Sequence, residues 1–334
     1  MGTNQKRLRL LLAGHHELGS NALAAILASG FEATYVSEQN PTAGRGETLQ
    51  SVGDKFGIAP VDDFGEKPLE VAVRTYRPDI LLSCGYWRII AKSVLNSVEY
   101  PINVHFGALP RYRGCWSIPQ AILNGDPQIG VTLHRMTPGI DDGPIYGYTM
   151  IEDDGTLSCK DLYLQAVQAG VELILKFLDQ VSIGSIPAPI PQNEANATYF
   201  GLRYPNDFRI DWRGTALQVA RYIRASYFPP YLPANSELDS VQKIFVHWPV
   251  RTILSQHNIA TGTVVELPDG EFGVAVLNGF IVPSLINLDG QKSKPFSEFV
   301  VERNWIGRRL GNLVKGIRTF PTQRFESAVN AVSL

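Results

Sequence analysis

The sequence has few cysteines, no long apolar run and no excess of charge. Its three cysteines, Cys84, Cys115 and Cys159, are far apart, and no Cys-x-x-Cys pair is present. A disulfide framework or a zinc site is therefore not expected. No apolar run approaches the roughly 20 residues of a membrane-spanning helix. Lys plus Arg total 30 against 32 Asp plus Glu, and this balance argues against a chain built to bind nucleic acid.

Signals for export and for nucleotide cofactors are equally scarce. The apolar run at residues 8–13 is only strand-length and no small-residue cleavage site follows it, so we expect a cytoplasmic protein with reduced cysteines and no membrane partner. The glycines Gly14 and Gly19 lack the Lys and the Ser or Thr of a phosphate loop, and no dinucleotide fingerprint is present. We therefore expect no ATP, no NAD and no metal.

Strand and helix signals alternate through the first half of the chain. The continuous apolar run at residues 8–13 is typical of a strand buried on both faces. Residues 158–181 have apolar side chains at helical spacing and predict a long amphipathic helix. This alternation predicts an α/β fold with a mostly parallel sheet and helices on both faces. The other predicted strands are 31–36, 80–84, 102–105, 130–136 and 145–151, and the other predicted helices are 20–29, 90–98 and 117–123.

The second half of the chain has a different character. Pro187, Pro189 and Pro191 indicate a stiff, extended connector. A predicted helix at 215–225 is followed, from residue 244, by short alternating runs separated by Gly and Asp-Gly, which predict a small β-barrel or sandwich. We therefore predict a first domain, a linker, a second domain and a polar tail, over residues 1–185, 186–206, 207–320 and 321–334.

One stretch of the sequence contains candidate catalytic residues. Asn103 and His105 are two residues apart, so on an extended strand both side chains leave the same face. The strand ends in a loop rich in Gly, Pro and Arg, and ligands of open α/β sheets bind beyond the carboxyl ends of strands. The loop at 138–143 holds Asp141 and Asp142 and follows a neighbouring predicted strand. We expect this loop to bring a carboxylate next to the histidine.

These residue types suit acyl transfer to an amine. The developing oxyanion needs a donor such as an Asn amide or an imidazolium, and histidine is well suited to take a proton from the amine near neutral pH. A nearby Asp can control the protonation of that histidine. No serine elbow or catalytic-cysteine signature is visible. The alternative is a strand end capped by polar residues and a Gly-Pro turn.

The runs NVHFGALPRYRG and GVTLHRMTPGIDDGPI resemble the folate-dependent formyltransferase family. The resemblance implies a Rossmann-like N-terminal domain that binds 10-formyltetrahydrofolate and performs the chemistry, with a smaller OB-like barrel that shapes the acceptor site. It implies that Asn103, His105 and Asp141 are catalytic. This chain departs from the family pattern at Gly107, where the family usually has Ser, and at Ser117, where it often has Pro.

The resemblance also implies where the pterin binds. In the family, the loop after the strand at 80–84 frames the pterin, together with the catalytic Asp, here Asp141. The alternative is a core turn that holds two buried aromatic residues. The implied folate-binding residues of this loop are Tyr86, Trp87, Arg88, Ile89 and Ile90.

Within the family, the chain is most similar to enzymes that formylate nucleotide-linked amino sugars, above all the formyltransferase domain of the bifunctional enzyme that modifies lipid A with aminoarabinose. The resemblance implies a dTDP-, UDP- or GDP-linked deoxyamino sugar as acceptor, a role in lipopolysaccharide or O-antigen biosynthesis, and a homodimer. The loop at 38–50 is short and carries acids, which argues against a tRNA acceptor. The alternatives are methionyl-tRNA, an amino-acid or purine-precursor amine, hydrolysis of formyl-folate, and a non-catalytic folate-binding module.

Candidate acceptor-binding residues are spread along the chain. Arg224 could bind a diphosphate and a nearby aromatic ring could stack on a nucleobase, although packing between domains explains the same segment. His134 lies inside a predicted strand and is interpreted as structural. The predicted acceptor-binding residues are His15, Arg113, Arg224, Tyr227 and Tyr231.

Overall fold

The structure is a computed structural model that describes residues 8–36, 46–61, 68–231, 233–238 and 242–311. Its first sheet has six strands, and their order across the sheet is β2, β1, β3, β4, β5, β6. The strands are β1 (Arg9–Gly14), β2 (Glu32–Tyr35), β3 (Ile80–Cys84), β4 (Tyr100–His105), β5 (Gln128–Arg135) and β6 (Ile145–Glu152).

Strands β1 to β4 are parallel, and β5 and β6 extend the sheet as an antiparallel hairpin. The connection between β5 and β6 contains no helix, so it cannot make the crossover that a parallel pair needs. The central strands are apolar and buried on both faces, as the continuous apolar runs predict. The predicted α/β fold with a mostly parallel sheet is confirmed.

Helices cover both faces of this sheet. The longest, α6 (Cys159–Ser182), begins with a capping box, in which the Ser158 hydroxyl accepts from the Asp161 N–H and the Asp161 carboxylate accepts from the Ser158 N–H. Its predicted position is confirmed to within a residue at each end. The other helices of this unit are α1 (His16–Ala28), α2 (Leu49–Phe56), α3 (Pro68–Tyr76), α4 (Lys92–Asn96) and α5 (Ser117–Asn124). Two further helices, α7 (Ala216–Ala225) and α8 (Phe296–Glu302), pack in the core of the second half of the chain.

The second half of the chain forms two four-stranded antiparallel sheets around a separate apolar core. Bridges from Arg309 to Thr263 and from Leu310 to Leu238 join the two sheets at one edge. The predicted β-rich second unit is therefore confirmed. Its strands are β7 (Asn235–Leu238), β8 (Gln242–Val246), β9 (Val250–Leu254), β10 (Val264–Glu266), β11 (Phe272–Val276), β12 (Gly279–Pro283), β13 (Leu285–Leu288) and β14 (Lys294–Pro295).

The connector between the two units lies against the loops at the end of the first sheet. Ile190 pairs with Ile145 at the start of β6, and Tyr199–Phe200 pairs in parallel with Arg113–Gly114. Much of the loop at 38–50, where we predict a short acidic segment, and the tail at 321–334 lie outside the described residues. No helix in the described part of the chain is long and apolar enough to span a membrane.

Candidate active site

Polar side chains gather where the central strands of the first sheet end. β4 ends at His105, β3 ends immediately before the loop at 85–91, and β1 ends immediately before His15. Because these strands are parallel, their carboxyl ends meet at one edge, where α/β sheets bind ligands. Asp141 reaches the same edge from the β5–β6 connection.

Asn103 pairs with His134 across the antiparallel β4–β5 ladder. His134 Nδ1 lies 3.0 Å from the carbonyl oxygen of Arg135, so Nδ1 carries the proton and Nε2 can accept. The Asn103 amide Nδ2 lies 3.1 Å from that Nε2 and 3.5 Å from Asp141 Oδ1. The longer contact is at the limit of a hydrogen bond, so one amide N–H is weakly held and is available to another acceptor.

The ring of His105 is buried and held in one orientation. Its Nε2 lies 2.7 Å from the Tyr112 carbonyl oxygen, which can only accept, so Nε2 carries a proton. Nδ1 then faces Asp141 Oδ2 at 3.4 Å. Gly107 allows this orientation, because a Cβ at that position would lie 2.6 Å from His105 Nε2.

Asp141 is held in an unusual backbone conformation, with φ of 53°. Such left-handed conformations are costly for a non-glycine residue and persist only where the surroundings enforce them. The Gly114 N–H donates to Asp141 Oδ2 at 2.8 Å. Burial alone would raise the pKa of this carboxyl, but the positive charge of His105 in its protonated form and the Gly114 N–H lower the pKa to about 2.

The electrostatics favour a neutral histidine beside an ionised carboxylate. Burial lowers the pKa of His105 below its ordinary value of 6.5, although the charge of Asp141 opposes the shift. At neutral pH, His105 Nδ1 is therefore an unprotonated base, and the adjacent carboxylate would stabilise the imidazolium formed when that base takes a proton. With the Asn103 N–H nearby, the cluster can accept a proton and bind a developing oxyanion.

The loop that follows β3 carries the residues predicted to bind the pterin. Trp87 is 63% exposed and Ile89 is 78% exposed. Tyr86 and Ile90 are half-buried and pack against the core beneath them, and the Arg88 guanidinium lies 5.0 Å from the centre of the Trp87 ring. The loop thus presents an apolar surface at the edge where His105 lies. It does not hold two buried aromatic residues, because Trp87 is exposed.

His15 lies beside this loop and not on an open surface. Its ring stacks on the Tyr86 ring at 6.0 Å with an interplanar angle of 5°, and the residue is buried. Burial, with smaller effects from His16 and Arg88, lowers the pKa of His15 to about 4. A neutral imidazole stacked on Tyr86 is better explained as part of the wall of this loop than as a group that contacts the acceptor, which is the role that we predicted.

The two arginines predicted to bind the acceptor are engaged elsewhere. Arg113 donates to the Gln192 Oε1 and to both carboxylate oxygens of Glu194, at 2.7–3.1 Å. Arg224 forms a buried ion pair with Asp153 at 2.6 and 2.8 Å. The structure does not fit the predicted role for either arginine, because each guanidinium already has its charge partner within the protein.

An apolar cavity of about 710 Å³ is lined by residues of both units. It begins at Phe106, the residue after His105, and includes Tyr231, one of the predicted acceptor-binding residues. Tyr227 is not among its lining residues and instead contacts the His247 ring edge-on at 5.8 Å. The cavity is lined by Phe106, Trp116, Ser117, Ile118, Pro119, Cys159, Tyr163, Tyr204, Asp207, Phe208, Ala225, Ser226, Phe228, Tyr231, Pro233, Asn235, Lys243 and Phe245.

One wall of this cavity has a strained backbone. Trp116, Asp207 and Phe208 all have positive φ, at 62°, 50° and 63°. The Trp116 ring packs edge-on against the Phe208 ring and donates its indole N–H to the Leu202 carbonyl at 2.7 Å. Non-glycine residues in this conformation concentrate at ligand-binding sites, where the surroundings hold them. The wall therefore has the features of a functional site.

Comparison with known proteins assigns the family. Residues 49–178 match the family model described as Formyl transferase, and residues 204–304 match Formyl transferase, C-terminal domain. A methionyl-tRNA formyltransferase from Dictyoglomus turgidum is 30% identical over 291 residues, which cover 78% of this chain and 88% of that protein. The chain belongs to the formyltransferase family. The resemblance to the folate-dependent formyltransferases, and the prediction of a formyl-transferring enzyme, are confirmed.

Two further relatives differ in the acceptor that their names give. A methionyl-tRNA formyltransferase from Paraburkholderia phymatum is 29% identical over 310 residues, covering 88% of this formyltransferase and 94% of that protein. The crystal structure of an N-formyltransferase from Helicobacter canadensis in complex with folinic acid and dTDP-3-aminofucose superposes with a TM-score of 0.63. It is 22% identical and covers 83% of this chain and 98% of its own, which shows a common fold.

The candidate active site of this formyltransferase contains groups that the sequence did not reveal. His134 binds Asn103 directly, and only its place opposite Asn103 in the antiparallel ladder would have indicated this. Gln192 and the backbone groups of Tyr112 and Gly114 had no sequence signal at all. Among the described residues, no group of three or more His, Cys, Asp or Glu side chains is arranged to hold a metal ion.

Proposed function

We propose that this enzyme moves the formyl group of 10-formyltetrahydrofolate onto the amine of a nucleotide-linked deoxyamino sugar. The observation that carries the proposal is that Asn103 and His105 each lie within 3.5 Å of Asp141 at the end of β4. Phe106, the residue after His105, lines an apolar cavity. A donor, a base and an ionised carboxylate are the groups that acyl transfer to an amine requires.

The donor side of the proposal rests on the loop after β3. The exposed faces of Trp87 and Ile89 offer apolar surface to a flat ring system such as a pterin, at the edge of the sheet where the base lies. The Helicobacter relative, which has the same fold, is in complex with folinic acid. The formyl-folate supplies the activated formyl carbon.

The chain's own groups then handle charge and protons. A bond forms between the acceptor nitrogen and the formyl carbon, and the bond from that carbon to the folate nitrogen breaks. The folate nitrogen leaves with the proton that His105 has taken from the acceptor amine. The weakly held N–H of Asn103 binds the negative charge that develops on the formyl oxygen. His105 does not share this role, because its Nε2–H is held by the Tyr112 carbonyl.

His105 Nδ1 takes the proton that the acceptor amine loses. The nearby Asp141 carboxylate stabilises the imidazolium by its charge, and its pKa of about 2 keeps it ionised over the working pH range. Because burial lowers the pKa of His105 below 6.5, the base is already deprotonated at neutral pH.

We expect kcat to be flat from pH 7 to 8 and to fall only as the pH drops through the lowered pKa of His105. A pH profile of kcat measures this.

The acceptor side of the proposal rests on the cavity. Its volume, about 710 Å³, suits one small ligand, and aromatic faces such as Tyr231 suit the stacking of a nucleobase. Lys243 is exposed at the same cavity and offers a charge to a diphosphate. We therefore assign acceptor binding to these groups and not to Arg113 and Arg224, whose guanidinium groups are paired with carboxylates of the protein.

Methionyl-tRNA is the second candidate acceptor. It is favoured by one observation: the relatives at 29% and 30% identity are named methionyl-tRNA formyltransferase. A tRNA acceptor needs several phosphate contacts, so its use should weaken steeply with salt. A sugar nucleotide has two phosphates, and its use should depend on salt only weakly.

The deciding experiment compares acceptors at one concentration of 10-formyltetrahydrofolate. Amino sugars linked to dTDP, UDP and GDP are assayed beside methionyl-tRNA, each at low and high salt. We expect formylation of at least one sugar nucleotide with little salt dependence. Salt-sensitive formylation of the tRNA, without activity on any sugar nucleotide, would overturn the acceptor assignment. Formate release without an acceptor would instead identify a hydrolase.

A further inference from the structure

The side chain of Gln192 lies in the connector, next to the catalytic carboxylate. Its Nε2 donates to two backbone carbonyls, those of Asp141 and Gly143, at 2.7 Å each. Its Oε1 accepts from Arg113 Nε at 3.1 Å and Nη2 at 2.8 Å. Both hydrogens and the oxygen of this amide are therefore engaged, which fixes its orientation.

Arg113 is itself immobilised. The residue is buried, and its guanidinium donates to the two carboxylate oxygens of Glu194 at 2.9 and 2.7 Å. Its backbone N–H donates to the Thr198 carbonyl at 2.9 Å. A planar guanidinium with several partners is a rigid support, because its donors lie in a fixed fork. Arg113 thus holds the amide oxygen of Gln192, and the amide nitrogen binds the loop at 138–143. This loop, which contains Asp141, is called the catalytic loop below.

The catalytic loop needs such support. Asp141 has a φ of 53°, a conformation that its own residue type disfavours. Gln192 holds the carbonyl of Asp141, and the Gly114 N–H holds the Asp141 carboxylate at 2.8 Å. Because Gly114 directly follows Arg113, the backbone and the side chain of Asp141 are fixed from the same short segment.

From these contacts we infer that Gln192 is a positioning residue, which holds the Asp141 carboxylate against His105 Nδ1. The inference rests on the proposed function, in which that carboxylate stabilises the protonated base. It gives the connector a role in catalysis beyond joining the two units. Gln192 touches no reacting atom and acts only through Asp141.

The test uses Gln192→Leu, which keeps the side chain's approximate size and removes all of its hydrogen bonds. A displacement of a catalytic group by about 1 Å can cost roughly 10²-fold in rate, so we expect kcat to fall by about 10- to 100-fold with KM for both substrates unchanged. Since the charge of Asp141 raises the pKa of His105, the acid limb of the pH profile should move to lower pH. The matched control is Gln168→Leu, at an exposed position of α6.

Gln192→Glu covers the case in which the leucine variant fails to fold. It keeps the acceptor for Arg113 and turns an oxygen toward the carbonyls of Asp141 and Gly143, so kcat should fall in the same way. The double variant Gln192→Leu with Asp141→Asn should be no slower than Asp141→Asn alone, because Gln192 acts through Asp141. Additive losses would overturn the inference.

The outcomes separate this inference from the proposed function. If Asp141→Asn is inactive while both Gln192 variants keep wild-type kcat and an unshifted pH profile, the positioning role is wrong and the proposed function stands. If Asp141→Asn keeps near-normal turnover, the proposed function fails and the inference fails with it.

Discussion

The polar cluster at the end of β4 and the aromatic cavity that includes Phe106 are built in different ways. Asn103, His105 and Asp141 come from two short segments, and most of their polar atoms have protein partners at hydrogen-bond distance. The cavity wall draws on residues from Phe106 to Phe245, and its surface is mostly apolar. A small set of directed hydrogen bonds fixes the first, whereas packing between two units shapes the second.

This difference predicts that the polar cluster determines the rate of the reaction and that the cavity determines which acceptor binds. A hydrogen-bonded cluster tolerates no displacement, because each donor and acceptor must meet its partner within a few tenths of an ångström. An apolar cavity tolerates substitution more readily, since neighbouring side chains can repack. We therefore expect changes in the cluster to lower kcat strongly and changes in the cavity to raise the KM of the acceptor moderately.

The largest effect is expected in the cluster itself. Asn103→Ala removes the donor to the developing oxyanion, and a lost donor of this kind costs about 10²–10³ in rate. His105→Asn removes the base and should cost at least as much. Steady-state kinetics with a saturating acceptor measures both. His257→Asn is the control, because His257 binds the Gly279 carbonyl in the C-terminal sheets. Near-normal turnover in either cluster variant would refute the site.

A smaller loss of rate is expected when the orientation of His105 is disturbed and its chemistry is kept. In Gly107→Ala, the new Cβ would lie 2.6 Å from Nε2 and 2.9 Å from Cδ2 of His105, so the ring must move off the Tyr112 carbonyl. Loss of one such hydrogen bond costs about 1–1.5 kcal/mol, or about tenfold in kcat.

Gly201→Ala is the matched control for this change, since a Cβ at Gly201 meets no atom within 4 Å. Equal kinetics in the two alanine variants would show that the Tyr112 carbonyl does not matter for the base. A loss of kcat in Gly107→Ala alone would show that the contact with the Tyr112 carbonyl sets the tautomer of His105. It would also show that the orientation of the His105 ring needs Gly at position 107, where the family usually has Ser.

The sequence was sufficient for the parts of the site that depend on local spacing. Asn103 and His105 share a face because a strand alternates with a period of two. Apolar side chains at helical spacing predict α6 to within a residue at each end. The β-rich second half was visible from its alternating runs and turns. In each case the decisive neighbours are close in the chain.

The sequence was insufficient where the partners are distant in the chain. Arg113 is paired with Glu194, 81 positions away, and Arg224 with Asp153, 71 positions away. An exposed arginine that binds a phosphate and a buried arginine that binds a carboxylate look alike until the fold brings the carboxylate near. The same holds for Gln192, whose contacts with the catalytic loop exist only because the connector folds back over it.

The smallest effects are expected from substitutions of exposed aromatic residues. These substitutions also test whether the acceptor and the folate bind to separate surfaces. Tyr231 lines the cavity and is 47% exposed, so Tyr231→Ala should leave the fold intact. Stacking of a base on an aromatic ring is worth about 1–3 kcal/mol, and we expect the acceptor KM to rise about 5- to 10-fold with the folate KM and kcat unchanged.

Trp87→Ala tests the opposite side, because Trp87 belongs to the loop after β3 and does not line the cavity. It should raise the KM for 10-formyltetrahydrofolate by a similar factor and leave the acceptor KM unchanged. Tyr148→Ala, at a residue on β6 that is 64% exposed and lies outside the cavity, is the control for loss of a surface tyrosine. If Tyr231→Ala and Trp87→Ala raised the same KM, one surface would serve both substrates. The division of the site into a folate loop and an acceptor cavity would then be wrong, while the assignment of Asn103 and His105 would stand.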